Sequence, residues 1–261
     1  MDFSGKVALV TGGGSGIGKG TALRLAAAGC AVGVLTHSRN EAEQVADEIA
    51  AAGGRALALV ADVSDEDQVK GAIAELAREY GRLDFLFANA GINGVWAPID
   101  ELAPDEWDRT INTNLRGTYL TLHYGVPYLK QAGGGAVVIT ASVNGTRIFS
   151  NAGATAYSCT KAAQVAMAKM LALELAKFHV RVNVICPGQI TTNIEDSTTH
   201  RDSELAGEPV EYPEGKIPLT DGEPGTSDQV ADLVLFLLSD RARHISGTPV
   251  WIDGAQSLLV G

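Results

Sequence analysis

Short runs of apolar and β-branched residues alternate along the chain with segments of helical hydrophobic period. Seven such runs occur, at residues 7–11, 31–36, 56–60, 83–89, 136–141, 180–185 and 248–252. None shows clean apolar/polar alternation, which is typical of strands buried on both faces. Strands separated by helical segments predict an α/β fold with one seven-stranded parallel sheet.

The helical segments between the runs carry apolar stripes that would cover the two faces of this sheet. One stripe consists of Ala42, Val45, Ala46 and Ile49. A second consists of Val69, Ile73, Leu76, Ala77 and Tyr80. Apolar residues spaced in this way lie on one side of a helix. We therefore predict a single domain over residues 1–261, with helices on both sides of the sheet.

One segment interrupts the alternation. Residues 193–224 contain nine acidic residues against Arg201 and Lys216, and prolines at 209, 213, 218 and 224 exclude a long helix. A long insert of this kind in a compact domain is usually a lid or a binding loop. We predict a substrate lid at about residues 189–226, called the lid segment below; a surface excursion without function is the alternative.

Composition and charge limit the classes of partner that the protein is expected to bind. The chain has 261 residues, 46% of them hydrophobic, and a formal net charge of -11, which disfavours nucleic acids and anionic membranes as partners. No apolar run approaches the roughly eighteen residues of a membrane helix, and we expect a cytoplasmic protein. Cys30, Cys159 and Cys186 are widely spaced, which argues against disulfides and a zinc site. We predict no metal site.

A glycine-rich turn follows the first predicted strand, where the chain reads Thr11-Gly-Gly-Gly-Ser-Gly-Ile-Gly18 before a helix-compatible stretch. Small residues at such a point let backbone N–H groups and a helix N-terminus approach a phosphate. The candidate phosphate-binding residues are Gly12, Ser15, Gly16, Ile17 and Gly18.

A nucleotide-hydrolase loop is the alternative interpretation of this turn. Gly13 to Gly18 followed by Lys19 nearly matches Gly-x-x-x-x-Gly-Lys-Ser/Thr, and Asp62 stands where a magnesium-side acid would follow a strand. Gly20, however, replaces the hydroxyl residue that would bind the metal. The missing hydroxyl favours a dinucleotide site over a hydrolase.

Tyr157 and Lys161 are four positions apart in a helical segment, which places a phenol beside an ammonium group. A free phenol has a pKa of about 10, and a nearby cation would lower that pKa and let tyrosine act as an acid or base. Packing beside a solvated amine is the alternative. Ser142 precedes the pair in the sequence.

These motifs together resemble the short-chain dehydrogenase/reductase family in its short form, and the resemblance spans nearly the whole chain. The matching motifs are the glycine turn, Asn89-Ala90-Gly91, Asn114, Ser142, Tyr157-x-x-x-Lys161 and Pro187-Gly188. The resemblance implies a Rossmann-type three-layer sandwich and hydride transfer between a nicotinamide coenzyme and a carbonyl or secondary alcohol.

The resemblance also implies a role for each catalytic residue. Tyr157 would be the general acid or base, and Lys161 would lower its pKa and bind the nicotinamide ribose. Ser142 would orient the substrate oxygen. The backbone carbonyl of Asn114 would hold a water that relays protons from Lys161. The alternatives are a strand-end hydroxyl for Ser142 and a helix-surface amide for Asn114.

By the same resemblance, the adenine would contact Asp62 and Val63, and Ile190 and Thr192 would meet the carboxamide and phosphates. An acid at the end of the second strand would favour NAD(H). This chain instead has Thr36 followed by His37, Ser38 and Arg39. We therefore predict NADP(H), with NAD(H) as the alternative if Arg39 only pairs with Glu43 on its helix.

The sequence gives less information on the substrate and on the oligomeric state. Ser142 and Tyr157 are fifteen positions apart, longer than in many members, so residues 144–151 are expected to loop outward near the substrate. Our first hypothesis is a 3-oxoacyl-type ketoreductase. Alternative dehydrogenases are a sugar or polyol dehydrogenase of the glucose 1-dehydrogenase type and a dehydrogenase of cyclic secondary alcohols. Alternatives of other classes are an isomerase or dehydratase and a catalytically silent dinucleotide sensor. The helix after Tyr157 is apolar almost all round, which predicts that it is buried. The resemblance implies that it lies at a subunit interface of a homodimer or homotetramer, and burial in the core of a single chain is the alternative.

Overall fold

In the computed structural model, which describes residues 1–208, 210 and 216–259, nine strands form two parallel sheets. The strands are β1 (Val7–Thr11), β2 (Ala31–Thr36), β3 (Arg55–Val60), β4 (Phe85–Ala88), β5 (Gly94–Trp96), β6 (Gly135–Thr140), β7 (Val180–Pro187), β8 (Thr198–His200) and β9 (Pro249–Ile252). The α-helices are α1 (Gly16–Ala27), α2 (Arg39–Ala51), α3 (Glu66–Tyr80), α4 (Pro104–Ile111), α5 (Gly117–Gln131), α6 (Thr155–Ala176) and α7 (Ser227–Leu238).

The main sheet has the order β3-β2-β1-β4-β6-β7-β9, and all its strands are parallel. The seven predicted strands and the α/β class are confirmed, with strand ends within two residues of the predicted ones. The prediction succeeds because each buried apolar run is bounded by glycine or polar turn residues.

Helices cover both faces of the sheet, as predicted. Alternate residues of β1 point to opposite sides, so that Val7 and Leu9 join one apolar core while Ala8 and Val10 join the other. The first core is completed by residues of α3, α5 and α6, and the second by residues of α1, α2 and α7. Every strand of this sheet is therefore held between two layers of helix.

The carboxyl ends of β1, β4 and β6 are tied together by side chains. The Thr11 hydroxyl accepts hydrogen bonds from the backbone N–H groups of Asn89 (3.0 Å) and Ala90 (3.1 Å). Thr140 Oγ1 donates to Asn89 Oδ1 at 3.1 Å. Strand order reverses between β1 and β4, and ligands of open parallel sheets bind at such a point.

The small second sheet was not predicted. β5 pairs with β8, from Gly94 opposite Thr198 to Trp96 opposite His200, and so joins the chain after Asn89-Ala90-Gly91 to the lid segment. Each strand has only three residues, which is too short for a period to be visible in the sequence. The lid segment also contains three short 3₁₀ turns, at Ile194–Ser197, Ser203–Ala206 and Pro218–Thr220. Pro209 and Pro213, used in the prediction of the lid, lie outside the described residues.

Helix α6 is only partly buried within one chain. Ala168, Ala172 and Leu175 pack into the core, whereas Met170 and Leu173 are 72% and 84% exposed. The outer face of α6 is therefore not buried within a single chain, which excludes the alternative to an oligomer for this face. Among the described residues, no helix combines the length and apolar character needed to cross a bilayer.

Candidate active site

A cleft of about 1070 Å³ lies at the carboxyl edge of the main sheet, where a parallel sheet places its ligands. Most of the predicted site residues line this cleft: Gly12, Ser15, Gly16, Ile17, His37, Asp62, Val63, Asn89, Ala90, Gly91, Ser142, Tyr157, Lys161, Pro187, Gly188, Ile190 and Thr192. Four predicted residues do not line it, namely Gly18, Ser38, Arg39 and Asn114.

The glycine turn leaves room for a ligand only because side chains are missing from it. Gly12 has φ +65°, and a Cβ added there would lie 3.0 Å from Ala90 Cα. Gly16 has φ +50° and faces Thr192, while a Cβ on Gly18 would overlap the carbonyl oxygen of Gly12. The turn can therefore bring backbone groups and the N-terminus of α1 against a phosphate.

The side chain of Lys19 argues against the hydrolase alternative. Its Nζ lies 2.7 Å from Glu48 Oε2 on α2, and Lys19 does not line the cleft. A nucleotide hydrolase would need this lysine on the phosphates. The structure therefore disfavours the hydrolase alternative, and the phosphate-binding role of the turn stays a prediction.

Ser142 follows β6 and faces the cleft. Its Oγ accepts a hydrogen bond from the Asn144 backbone N–H at 3.1 Å. Contrary to the prediction, residues 144–148 do not loop outward. Asn144 and Ile148 are buried, and the Gly145 N–H donates a hydrogen bond to the Ile148 carbonyl at 3.3 Å. Only the next residues stand out, with Phe149 75% exposed.

Tyr157 lies in the first turn of α6 and is buried, with its ring 6.4 Å from that of Trp96. Burial raises the pKa of Tyr157 to about 12, the Ser142 hydroxyl opposes this rise, and Glu195 adds to it. The predicted lowering of this pKa by Lys161 is therefore wrong for this geometry. Loss of water around the phenol outweighs the neighbouring polar groups.

Lys161 is buried one helical turn further along α6. Its Nζ donates to the Thr140 carbonyl at 2.9 Å and lies 5.3 Å from the centroid of the Tyr157 ring. Burial lowers the pKa of Lys161 to about 8. The ammonium is thus directed by a strand-end carbonyl toward the floor of the cleft and remains beside the phenol.

Asn114 lies in a π-helical turn, Asn112–Arg116, that joins α4 to α5. Asn114 Oδ1 accepts a hydrogen bond from the Ile92 backbone N–H at 2.8 Å, and Asn114 Nδ2 donates one to the Ile92 carbonyl at 2.9 Å. Its backbone carbonyl accepts from Gln164 Nε2 (3.0 Å) and Thr118 Oγ1 (2.7 Å). Both acceptor positions of this carbonyl are used, so the structure shows a residue that positions the turn after β4, and the predicted water relay stays a prediction.

The predicted coenzyme-selecting residues are placed differently from expectation. Ser38 is the N-cap of α2 and accepts from the Glu41 N–H at 3.4 Å. Arg39 is 71% exposed and its Nη1 lies 3.3 Å from Glu43 Oε1. The prediction of NADP(H) used these two residues, and neither lines the cleft. Glu41, which the sequence analysis did not consider, does line it.

Asp62 and Val63 lie at the same end of the cleft, beyond β3. Asp62 Oδ1 accepts hydrogen bonds from the backbone N–H and the hydroxyl of Ser64, both at 2.8 Å. Asp65, and not Asp62, caps α3. Asp62 therefore shapes the loop at this end of the cleft.

The other end of the cleft is lined by residues that carry no sequence motif. They come from the segment after β4, from α4, from the 142–151 turn and from the lid segment, and include Asn93, Trp96, Arg109, Asn144, Asn151, Glu195 and His200. Trp96 lies between Tyr157 and His200, with ring centroids 6.4 Å and 5.4 Å away. This aromatic wall stands directly beside the proposed proton donor.

Several contacts attach the lid segment to the rest of the chain. Asn93 donates two hydrogen bonds to this segment, from its backbone N–H to Ser197 Oγ at 3.1 Å and from Nδ2 to Thr198 Oγ1 at 2.7 Å. The Arg201 guanidinium contacts both carboxylate oxygens of Glu106 on α4, at 3.0 Å and 2.7 Å, and donates to the Glu101 carbonyl at 2.6 Å. These contacts attach residues 197–201 of the lid segment to the chain after β4 and to α4.

Comparison with known proteins gives consistent matches over the whole chain. A family model described as short chain dehydrogenase matches residues 6–203. Levodione reductase of Leifsonia aquatica is 37% identical over 98% of this chain and 95% of that protein. Cyclohexanol dehydrogenase of Acinetobacter sp. (strain SE19) is 38% identical over 97% of this chain and 95% of that protein.

Solved structures match as well. A 3-ketoacyl-ACP reductase from Sinorhizobium meliloti 1021 has a TM-score of 0.94 at 62% identity, covering 97% of this chain and 99% of that chain. A Brucella melitensis 3-ketoacyl-(acyl-carrier-protein) reductase in complex with NADH has a TM-score of 0.86 at 32% identity, with 98% and 100% covered. A Burkholderia cenocepacia J2315 short chain dehydrogenase in complex with NADP has a TM-score of 0.84 at 33% identity, with 97% and 98% covered.

Proposed function

The chain belongs to the short-chain dehydrogenase family of oxidoreductases, and on that basis we propose that it transfers a hydride between a nicotinamide dinucleotide and a carbonyl or secondary alcohol. The observation that carries the proposal is the convergence of Ser142, Tyr157 and Lys161 on the cleft that the glycine turn also lines. A phosphate cradle and a proton donor on one cleft are what a hydride-transfer site needs.

The residues present fit a dinucleotide. The close packing of the glycine turn, in which a Cβ on Gly12 or Gly18 would collide with neighbouring backbone, leaves its backbone groups on the cleft, and the same cleft is lined by Asp62 and by Tyr157. Gly12, Ser15 and Gly16 would hold the phosphates, and Lys161 the nicotinamide ribose. When bound, the coenzyme supplies the hydride, which no protein side chain can supply.

Proton transfer at the substrate oxygen falls to Tyr157. Because its pKa is about 12, the phenol is protonated at neutral pH and serves as the acid in carbonyl reduction. The Ser142 hydroxyl, which accepts a hydrogen bond from the Asn144 N–H, keeps its proton and would donate a hydrogen bond to the same substrate oxygen, which stabilises the charge that develops there.

For the substrate, we propose a 3-oxoacyl-type ketone as the first candidate, supported by the S. meliloti 3-ketoacyl-ACP reductase at 62% identity. A small cyclic ketone is the second candidate. Two relatives are named levodione reductase and cyclohexanol dehydrogenase, and the Trp96 ring provides a flat apolar wall beside Tyr157. A sugar or polyol remains the third class to test.

The experiment measures oxidation of reduced nicotinamide by purified protein with one compound of each class: a 3-oxoacyl thioester, a cyclohexanone derivative and an aldose. Tyr157→Phe removes the proton donor, and we expect turnover to fall about 10²- to 10⁴-fold while coenzyme binding persists. Tyr128→Phe, which removes a phenol away from the cleft, is the matched control and should leave turnover unchanged.

Retention of more than about a tenth of the wild-type rate in Tyr157→Phe would contradict the assignment. Coenzyme binding without turnover on any compound would favour the dinucleotide sensor. Product formed without net consumption of coenzyme would favour an isomerase or dehydratase.

The lid segment and the outer face of α6 complete the proposal. We propose that the lid segment covers the substrate, since Asn193, Glu195 and His200 line the cleft. We also propose that a second copy of the chain covers Met170 and Leu173 on α6, because large exposed apolar side chains mark interaction surfaces. Light scattering should give a dimer or tetramer of the 27.2 kDa chain, and cell fractionation should place it in the cytoplasm.

A further inference from the structure

We propose that Glu41 selects NAD(H) over NADP(H), an inference that rests on the proposed dinucleotide site and reverses the preference predicted from the sequence. Glu41 is in the first turn of α2, three residues after the N-cap, and lines the cleft together with Thr36 and His37 at the end of β2. An acid in this place replaces the strand-end acid that the sequence lacks.

The carboxylate of Glu41 has a defined position. Thr36 Oγ1 donates to Glu41 Oε2 at 3.2 Å. On its other side the side chain lies against the glycine turn, since a Cβ added to Gly14 would be 2.6 Å from Glu41 Oε2 and 2.7 Å from Glu41 Cβ. Glu41 is thus fixed between the end of β2 and the proposed phosphate cradle.

At this position the protein would contact the adenosine ribose. The phosphates would lie at the glycine turn and the adenine beside Asp62 and Val63, so the ribose between them passes the carboxyl end of β2. A carboxylate there accepts hydrogen bonds from ribose hydroxyls. The same carboxylate repels a 2′-phosphate.

The charges around Glu41 offer a 2′-phosphate no compensation. Among the described lining residues, the lysines and arginines are Arg109, Lys161 and Lys216, which belong to α4, α6 and the lid segment. On the β2–α2 turn itself, Arg39 pairs with Glu43 outside the cleft, and His37 is the remaining basic side chain. Asp62 adds a further acid at this end of the cleft.

A purely structural role for Glu41 is the competing explanation. A glutamate three residues after a serine N-cap commonly accepts the N–H of that serine and completes a capping box. Here the Ser38 N–H donates to Thr36 Oγ1 at 3.4 Å, and the Glu41 carboxylate receives the Thr36 hydroxyl. The carboxylate is therefore not used to cap α2.

The test compares Glu41→Gln with Asp47→Asn, a matched acid-to-amide change at an exposed position of the same helix that does not line the cleft. Dissociation constants for NADH and NADPH are measured by nucleotide fluorescence, with kcat/KM for each coenzyme as a second readout and circular dichroism as a check of folding. We expect the wild type to bind NADH at least about tenfold more tightly than NADPH. Glu41→Gln should reduce this ratio to within about threefold, mainly by improving NADPH binding, and Asp47→Asn should leave it unchanged.

A wild-type protein that binds NADPH as tightly as NADH, or more tightly, would overturn the proposal, and so would an unchanged ratio in Glu41→Gln. If Glu41→Gln does not fold, Thr36→Val tests the same contact, because it removes the hydroxyl that holds Oε2 and should lower the ratio. An unchanged ratio in Thr36→Val would then overturn the proposal. Binding of neither nucleotide by the wild type would instead contradict the proposed function.

Discussion

The two ends of the cleft are built in different ways. The coenzyme end consists of strand ends and a glycine turn, and residues such as Thr11 and Asn89 tie adjacent strands of one sheet together. The substrate end is assembled from separate segments, as in the contact of Asn93 with Ser197, which are 104 residues apart. The first end follows from the sheet and carries a recognisable motif, whereas the second depends on contacts that no short motif encodes.

The strongest test of the coenzyme end is Gly18→Ala. A Cβ at this position would overlap the carbonyl oxygen of Gly12, so the turn must open and the phosphate cradle is lost. We expect the affinity for the reduced coenzyme to fall by at least about 100-fold, or about 2.7 kcal/mol, in a fluorescence titration.

Gly71→Ala is the matched control for this change. Gly71 lies in α3, and a Cβ there would meet nothing within 4 Å. Alanine is favoured over glycine in a helix by about 0.8–1.0 kcal/mol, so Tm should rise while coenzyme affinity stays constant. Normal coenzyme affinity in Gly18→Ala would show that the turn is not the phosphate site.

The pH dependence of carbonyl reduction tests the residues between the two ends. Tyr157 keeps its proton across neutral pH because its pKa is about 12, whereas Lys161, with a pKa of about 8, loses its charge as the pH rises through that value. We expect kcat/KM for reduction to be constant between about pH 6 and 7.5 and to fall up to about tenfold per pH unit above 8.

The profile is measured with a saturating coenzyme and a ketone that does not itself titrate in this range. A rate of reduction that rises from pH 8 to pH 10 would contradict the assignment of the protonated Tyr157 phenol as the acid. Coenzyme affinity measured at the same pH values separates loss of binding from loss of proton transfer.

The sequence predicted the main sheet and most of the residues that line the cleft, and physical reasons explain where it failed. The seven strands are buried apolar runs with clear ends, and local patterns are sufficient to locate them. Glu41 was missed because the usual rule inspects the strand end, while this carboxylate reaches back from the first turn of the next helix. The wrong direction of the Tyr157 pKa has a similar origin, since spacing places Lys161 near the phenol but does not reveal how completely both are buried.

The smallest expected effect concerns the substrate end, where Arg201→Gln removes the bidentate contact with Glu106 that attaches the lid segment to α4. Such charge-assisted pairs fix geometry as well as contribute energy, although partial exposure weakens this one. We expect KM for the ketone to rise about three- to tenfold with coenzyme affinity unchanged. Glu101→Gln is the control, because Glu101 contributes only its backbone carbonyl to Arg201. A parallel loss of coenzyme affinity in Arg201→Gln would show that the two ends are coupled through the lid segment, and the distinction between them would then have to be abandoned.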